Sequence, residues 1–114
     1  MAKIKHGICI YTWDQHGNLT GLYTNETGNS AGIICNEIAR KKTNNPGLDG
    51  DYLCCYIEIN STGNSNRVTS NISIKQTENQ NVYDFIWTDD SGGIHFKGKG
   101  YIIQSNQVVV NYWE

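Results

Sequence analysis

The sequence predicts an all-β fold, a single-domain antiparallel up-and-down β-barrel of about eight strands. Three observations lead there. The chain has 114 residues, enough for one domain and too few for two with a cleft between them. Apolar and polar residues alternate with period two, interrupted at short intervals by clusters of Gly, Asn, Asp and Ser, the pattern of strands and turns. One Pro, seven Tyr, three Trp and many Ile and Val suit strands, while the strong helix formers Leu and Ala are scarce. Short links make each strand the spatial neighbour of the next. A meander of eight strands exposes two edges unless it closes, and closure removes both. An eight-strand interior is just filled by side chains, or holds one small ligand.

The elements follow in order. Ile4–Asp14 reads as a first strand and Gln15–Asn18 as a turn. Leu19–Asn25 is a second strand, followed by the loop Glu26–Ser30. Ala31–Lys42 carries two patterns. Ser30 is placed to cap a helix with Ile34, Ile38 and Lys41 at helical spacing, but Ile33-Ile34 and the alternation around them fit a strand better. Thr43–Gly50 is a loop holding the single proline, Pro46. Asp51–Asn60 is a strand and Ser61–Asn66 a turn. Arg67–Thr77 is a strand with Val68, Ser70, Ile72 and Ile74 on one face. Glu78–Asn81 turns into the strand Val82–Thr88, and Asp89–Gly93 turns into Ile94–Ile103. Gln104–Asn106 is a tight turn before the last strand, Gln107–Trp113. A weak internal echo accompanies this order. Leu19-Thr-Gly-Leu-Tyr23 resembles Leu48-Asp-Gly-Asp-Tyr52, and Thr27–Ser30 recurs as Thr62–Ser65, suggesting two four-strand halves.

Charge narrows the function classes. Nine Lys and Arg against eleven Asp and Glu give a formal net charge of -2, so electrostatic capture of nucleic acid or an anionic membrane is not expected. No stretch approaches the apolar length of a spanning helix. No apolar core follows the basic start Met1–Ile8, so the expected location is cytoplasmic, with an exported mature form as the alternative. Cys9, Cys35, Cys54 and Cys55 lack metal-ligand spacing. Cys54 and Cys55 point to opposite faces of one strand, so four mostly buried thiols are expected rather than bridges. No cofactor or metal is expected, and no catalytic residue is assigned. His6, His16 and His95 read as solvated. Asp89-Asp90 and the pair Asp49 and Asp51 read as turn chemistry, and Arg40–Lys42 as a solvated edge.

The segment Leu19-Thr-Gly-Leu-Tyr-Thr-Asn-Glu-Thr-Gly-Asn-Ser30 resembles the Leu-Thr-Gly-x-Tyr strand and following loop of avidin-type biotin binders. The C-terminal half is similar to small lipocalin-like barrels, through Tyr83–Trp87, Phe96–Gly100 and Val108–Tyr112. Both resemblances imply a small β-barrel. The avidin likeness further implies polar contacts from Tyr23 and Asn25 at the barrel mouth, with Thr27, Gly28 and Asn29 in the adjacent loop. The Gly-x-x-Val-x-Trp and Trp-Leu-Leu strands of those binders are absent here, so the likeness implies the barrel rather than biotin.

Candidate site residues come from strand faces. In the fifty-region strand, Leu53, Cys55, Ile57 and Ile59 are expected in the core, opposite Tyr52, Cys54, Tyr56 and Glu58. If the aromatic faces of the other strands point inward, Trp13, Trp87 and Trp113 sit at barrel mouths, with Asn36 and Asn111 as buried amides. Aromatic walls with a few polar tips suit a small-ligand pocket. They suit plain packing equally, with the amides bonded to backbone. The first expectation is a non-enzymatic barrel binding a small hydrophobic or aromatic ligand through Trp13, Tyr23, Asn25, Asn36, Trp87, Asn111 and Trp113. The second is a protein- or glycan-interaction module or homo-oligomer subunit, acting through loops or an exposed strand. The third is a barrel enzyme, for which Glu37 and Glu58 are the mid-strand carboxylates that matter.

Overall fold

The computed structural model describes residues 6–26, 32, 34–59 and 65–114, with Glu58 and Ile59 described by backbone alone. Eight strands appear in chain order: β1 His6–Trp13, β2 Leu19–Asn25, β3 Cys35–Lys41, β4 Gly50–Ile59, β5 Ser65–Gln76, β6 Val82–Thr88, β7 Ile94–Gln104 and β8 Gln107–Trp113. Every neighbour pair is antiparallel, and the sheet closes into a barrel in the order β1 to β8. Closure is made by β1 against β8, in register from His6 opposite Trp113 to Thr12 opposite Gln107. The barrel expected from the sequence is therefore the fold. The ambiguous segment is a strand over Cys35–Lys41, as its alternation suggested. The loop around Thr27–Asn29 and most of the expected turn Ser61–Asn66 lie outside the described residues.

The lower end of the barrel, where β1 finishes and β2 begins, is sealed by the β3–β4 loop. Leu48 of that loop is buried, and the Tyr52 hydroxyl donates to its carbonyl at 2.8 Å. Lys41 Nζ donates to the carbonyls of Asn45 at 2.7 Å and Gly47 at 2.6 Å, fixing the loop from inside. Asp49 Oδ2 accepts from the Gln76 backbone at 2.7 Å, tying the loop to β5.

Inside, Cys9, Tyr11, Leu19, Ala39, Tyr52, Cys54, Ile72, Ile74, Phe85, Val108 and Val110 are fully buried or nearly so. The expected inner face of β4 is reversed. Tyr52 and Cys54 point into the lumen, while Leu53 and Ile57 stand 46% and 41% exposed. The register explains this: Tyr52 lies opposite Ile72 and Cys54 opposite Ser70, so β4 presents to the lumen the residues paired with the buried face of β5. β8 is also out of phase with expectation, with Val108, Val110 and Tyr112 inward and Asn111 exposed.

Inward-facing glycines set the room available. A side chain at Gly21 would meet Tyr11 Cδ1 at 2.7 Å and Cε1 at 2.8 Å. Gly21 and Tyr11 are direct cross-strand neighbours, so the ring lies over bare backbone. Alanine in place of glycine normally favours a strand interior slightly. Here overpacking dominates, and Gly21→Ala is expected to destabilise the protein by about 1–3 kcal/mol. A double-mutant cycle with Tyr11→Leu, read by urea unfolding, should show strong non-additivity because the smaller side chain relieves the clash. Additive changes would mean that the ring and the glycine are not coupled.

Candidate functional site

Among the described residues, the upper end of the barrel, where β1 starts and β8 ends, keeps a recess. Rings climb toward it through the lumen. Tyr11 stacks on Phe85 at 6.0 Å between centroids, Phe85 on Trp87 at 5.6 Å, and Trp87 meets Tyr112 at 5.8 Å. Phe96 stands edge-on to Tyr112 at 5.4 Å, and Tyr23 edge-on to Tyr56 at 5.7 Å. These two aromatic pairs form the walls of a recess of about 30 Å³, room for about two waters. Trp87 closes a third side, Asn25 stands at the rim, and Cys9, Tyr11 and Glu37 form the floor.

Each position follows from strand register. Glu37 lies between Gly21 on β2 and Tyr56 on β4, with no side chain from Gly21 to cover it. Glu37 is only 5% exposed. The Cys54 thiol donates to its carboxyl, and the second oxygen, Oε2, has no hydrogen-bond partner among the described residues. The Tyr11 hydroxyl, fully buried, has none either. Burial pushes the Glu37 carboxyl up from the ordinary 4.5 to about 8, with the Cys54 hydrogen bond opposing it in part. Burial first, and then the Glu37 carboxylate, push the Cys9 and Cys54 thiols up. Both thiols therefore stay protonated and are poor nucleophiles.

The rim tyrosines are held by the wall. The Tyr23 hydroxyl donates to the Ile57 carbonyl, and burial raises its pKa. The Tyr112 hydroxyl donates to the Thr24 carbonyl at 3.2 Å, and its pKa is raised by burial against a smaller opposing effect of the Asn25 side chain. These two tyrosines thus offer a ligand ring edges more than hydroxyls.

Of the seven candidate residues, Tyr23, Asn25 and Trp87 converge on this recess. The other four do not. Trp13 lies at the opposite end of the barrel, beside Leu19. Asn36 is exposed on the outer wall, because β3 turns Glu37 and Ala39 inward and leaves Ile38 63% exposed. Asn111 is likewise outside, and Trp113 shares its outward phase. Neither is therefore a buried amide or a mouth aromatic. Sequence reasoning placed no weight on Cys9, Tyr11, Tyr56, Phe96 and Tyr112 as recess residues, and named Glu37 solely as a carboxylate to check. The echo of Leu-x-Gly-x-Tyr at Tyr23 and Tyr52 carried a usable signal, since both tyrosines face inward.

Trp13 borders a second feature, an open groove of about 520 Å³ between the β1–β2 turn and the β3–β4 loop. Its polar groups are mostly engaged within the fold. Asp14 Oδ1 accepts from the backbone of His16 at 2.8 Å and Asn18 at 3.0 Å, and Lys41 and Asn45 bond to loop carbonyls. The turn reading of Asp89 also holds. Its Oδ1 accepts from Ser91 N, Ser91 Oγ and Gly93 N at 3.0, 2.6 and 2.8 Å. The described cysteines are all free thiols, Cys9 and Cys54 buried, Cys35 and Cys55 half-buried.

No family model, curated protein or solved structure matches the chain. Barrel architecture by itself carries no function, so the site must.

Glu37 has a consequence for stability. Its raised pKa means that the folded chain holds a proton the unfolded chain has released. Its contribution is therefore full at low pH and lost as pH rises from near 4.5 to about 8. The limiting slope is about 1.4 kcal/mol per pH unit. Urea unfolding of wild type and Glu37→Gln between pH 4 and pH 9 should show the two curves diverging through that window and the difference persisting above it. Parallel curves would mean that Glu37 is ionised and solvated in the folded protein.

Proposed function

We propose that the protein is a non-enzymatic small-ligand-binding barrel whose ligand enters the upper lumen. One observation carries this. Among the described residues the lower half of the interior is packed, whereas the upper recess is lined by Glu37 and Tyr11, whose buried Oε2 and Oη have no hydrogen-bond partner. Buried polar groups are otherwise satisfied in folded proteins. Aromatic walls around a few polar groups are the usual composition of a ligand site. The likeness of Leu19–Asn25 to the avidin-type strand adds Tyr23 and Asn25 as rim contacts, and both line the recess. Because the free space is small, a ligand larger than its head group lies partly in the mouth between Tyr56 and Phe96. Native mass spectrometry of the purified protein, followed by an NMR fragment screen, tests this. A small molecule that leaves on denaturation, or fragments that shift the Trp87 indole and Glu37 amide signals, is the expected result. A clean apo mass together with unmoved lumen signals across acids, amines and neutral aromatics would refute it.

A second reading, that of a homo-oligomer subunit, has its own observation. Ile8, Ile10, Leu22, Ile34, Ile38, Leu53 and Ile57 are exposed on or beside the outer wall of β1–β4. Ile10 lies directly between Leu22 and Val109, and Val109 beside the exposed Tyr101, so one apolar row crosses four strands. Charged side chains on the outer wall include Lys75, Asp84, Lys97 and Lys99 on β5–β7, and Arg40 and Arg67 border the patch opposite Leu53 and Ile57. The row from Leu22 to Tyr101 itself carries no charge, so a second copy of the chain covers that row without burying one. Sedimentation equilibrium should then show a dimer that Leu22→Lys converts to monomer. A wild-type protein that stays monomeric at high concentration would exclude it.

A further inference from the structure

We infer that the recess takes the ammonium head of a small primary amine, held between Glu37 and the Tyr11 hydroxyl with its carbon chain against the Trp87, Phe96 and Tyr112 rings. This rests on the reading of the upper lumen as a ligand site and names its ligand class.

Size speaks first. About 30 Å³ of free space suits a group as small as a water or two. An –NH₃⁺ head fits such a space, and unlike a quaternary ammonium it carries N–H donors. Hydrogen-bond chemistry speaks next. An ammonium has three donors and no acceptor. Glu37 and Tyr11 line the recess, and each carries a buried oxygen without a hydrogen-bond partner among the described residues, Glu37 Oε2 and Tyr11 Oη. The walls agree, because aromatic faces attract cations and most strongly where water is excluded.

The charge around Glu37 completes the case. Facing the recess are Cys9 and Tyr11 from β1, Tyr23 from β2, Tyr56 from β4 and Tyr112 from β8, with Trp87 of β6 and Phe96 of β7. Cys54 of β4 bonds to the carboxyl directly, and the inward residues of β5 are Ser70, Ile72 and Ile74. All the titratable groups in that set are acids. None supplies a positive charge, so the cation that stabilises an ionised Glu37 comes with the ligand. An anionic ligand would face a carboxyl, phenols and thiols. The free site holds its proton near neutrality, because burial raises the Glu37 pKa to about 8. Binding an already charged amine therefore expels that proton to solvent. Below that pKa the affinity rises with pH, approaching tenfold per unit, and it levels off above it.

Isothermal titration calorimetry with n-butylamine, its neutral analogue butanamide and tetramethylammonium tests this on the whole protein. Titration between pH 6 and pH 9, in buffers of different ionisation enthalpy, reports the protons released. The inference expects n-butylamine to bind with release of most of one proton at pH 7, and with affinity rising up to about tenfold per pH unit below pH 8. Butanamide and tetramethylammonium should bind at least tenfold more weakly. Glu37→Gln should lose the proton release and at least tenfold in amine affinity while keeping the wild-type circular dichroism spectrum. Tyr11→Phe, which preserves the ring, should weaken amine binding and retain the proton release. If butanamide binds better than the amine, with affinity falling as pH rises, the recess takes a hydrogen-bond acceptor. The amine inference then fails and the ligand-binding reading stands. If none of the three binds and the fragment screen leaves the lumen signals unmoved, both fail.

Discussion

Four glycines face the lumen, and each stands where a ring passes. Gly7 lies under Tyr112, Gly21 under Tyr11, Gly98 beside Trp87 and Gly100 under Phe85. An eight-strand barrel encloses a space that ordinary side chains already fill. This chain places Tyr11, Phe85, Trp87 and Tyr112 inside at once, and the rings of Tyr11, Phe85 and Tyr112 fit because each has a glycine opposite on a neighbouring strand. Register enforces the match: Tyr11 is opposite Gly21, Tyr112 opposite both Gly7 and Gly98, and Phe85 opposite Gly98. Strand pairing, closure and packing are thereby coupled. A slip of one residue on any of these strands turns its rings to solvent and its outward side chains into the space they left.

The same arrangement places the recess. The ring column rises from Tyr11 to Tyr112 along β1, β6 and β8. On the facing wall, β2 contributes Gly21 and β3 contributes Glu37 and Ala39. Small residues opposite a column of rings leave space beside it. At the lower end that space is taken by Leu19, Leu48 and Tyr52. At the upper end none of the described residues takes that space, and Glu37 lines the gap. The recess is thus the remainder of a packing solution, and one of its floor groups is ionisable.

Architecture was legible because it depends on turn spacing and alternation, which are local signals. β2, β6 and β8 begin and end where alternation and turn residues place them. Inside and outside were less legible because several strands are apolar on both faces. On β4, Leu53, Cys55 and Ile57 look more core-like than Tyr52, Cys54 and Tyr56, yet the latter set faces inward. At β3, Ile38 on the strand and Ile34 just before it look more core-like than Glu37, yet both are exposed, and on β8 valines occupy both phases. Hydrophobicity ranks such faces wrongly because β-branched residues favour strands even at the surface. What decides the phase is where the opposing glycines lie, and that is fixed by cross-strand partners far away in sequence. The three tryptophans illustrate the limit: all sit near strand ends, but chain direction alternates, so Trp13 and Trp87 belong to opposite ends of the barrel.

Glu37 departs from the logic of the rest of the core. Its inward companion on β3 is Ala39, and its cross-strand neighbours are Gly21 and Tyr56. An apolar side chain of similar length would satisfy the alternation there without desolvating a carboxyl, which costs free energy in either protonation state unless both oxygens are satisfied. Cys54 satisfies one oxygen and is a weak donor. Elsewhere in the lumen the polar atoms are met: Tyr52 by the Leu48 carbonyl and Ser70 by the Thr88 carbonyl. Among the described residues three buried side-chain oxygens lack partners, Thr43 Oγ1 in the β3–β4 loop and, on residues that line the free volume of the core, Glu37 Oε2 and Tyr11 Oη. In a chain whose local choices otherwise agree with its fold, such a broken rule beside free volume is where a function is first sought. That coincidence, more than the barrel itself, is the ground on which the ligand-binding proposal stands.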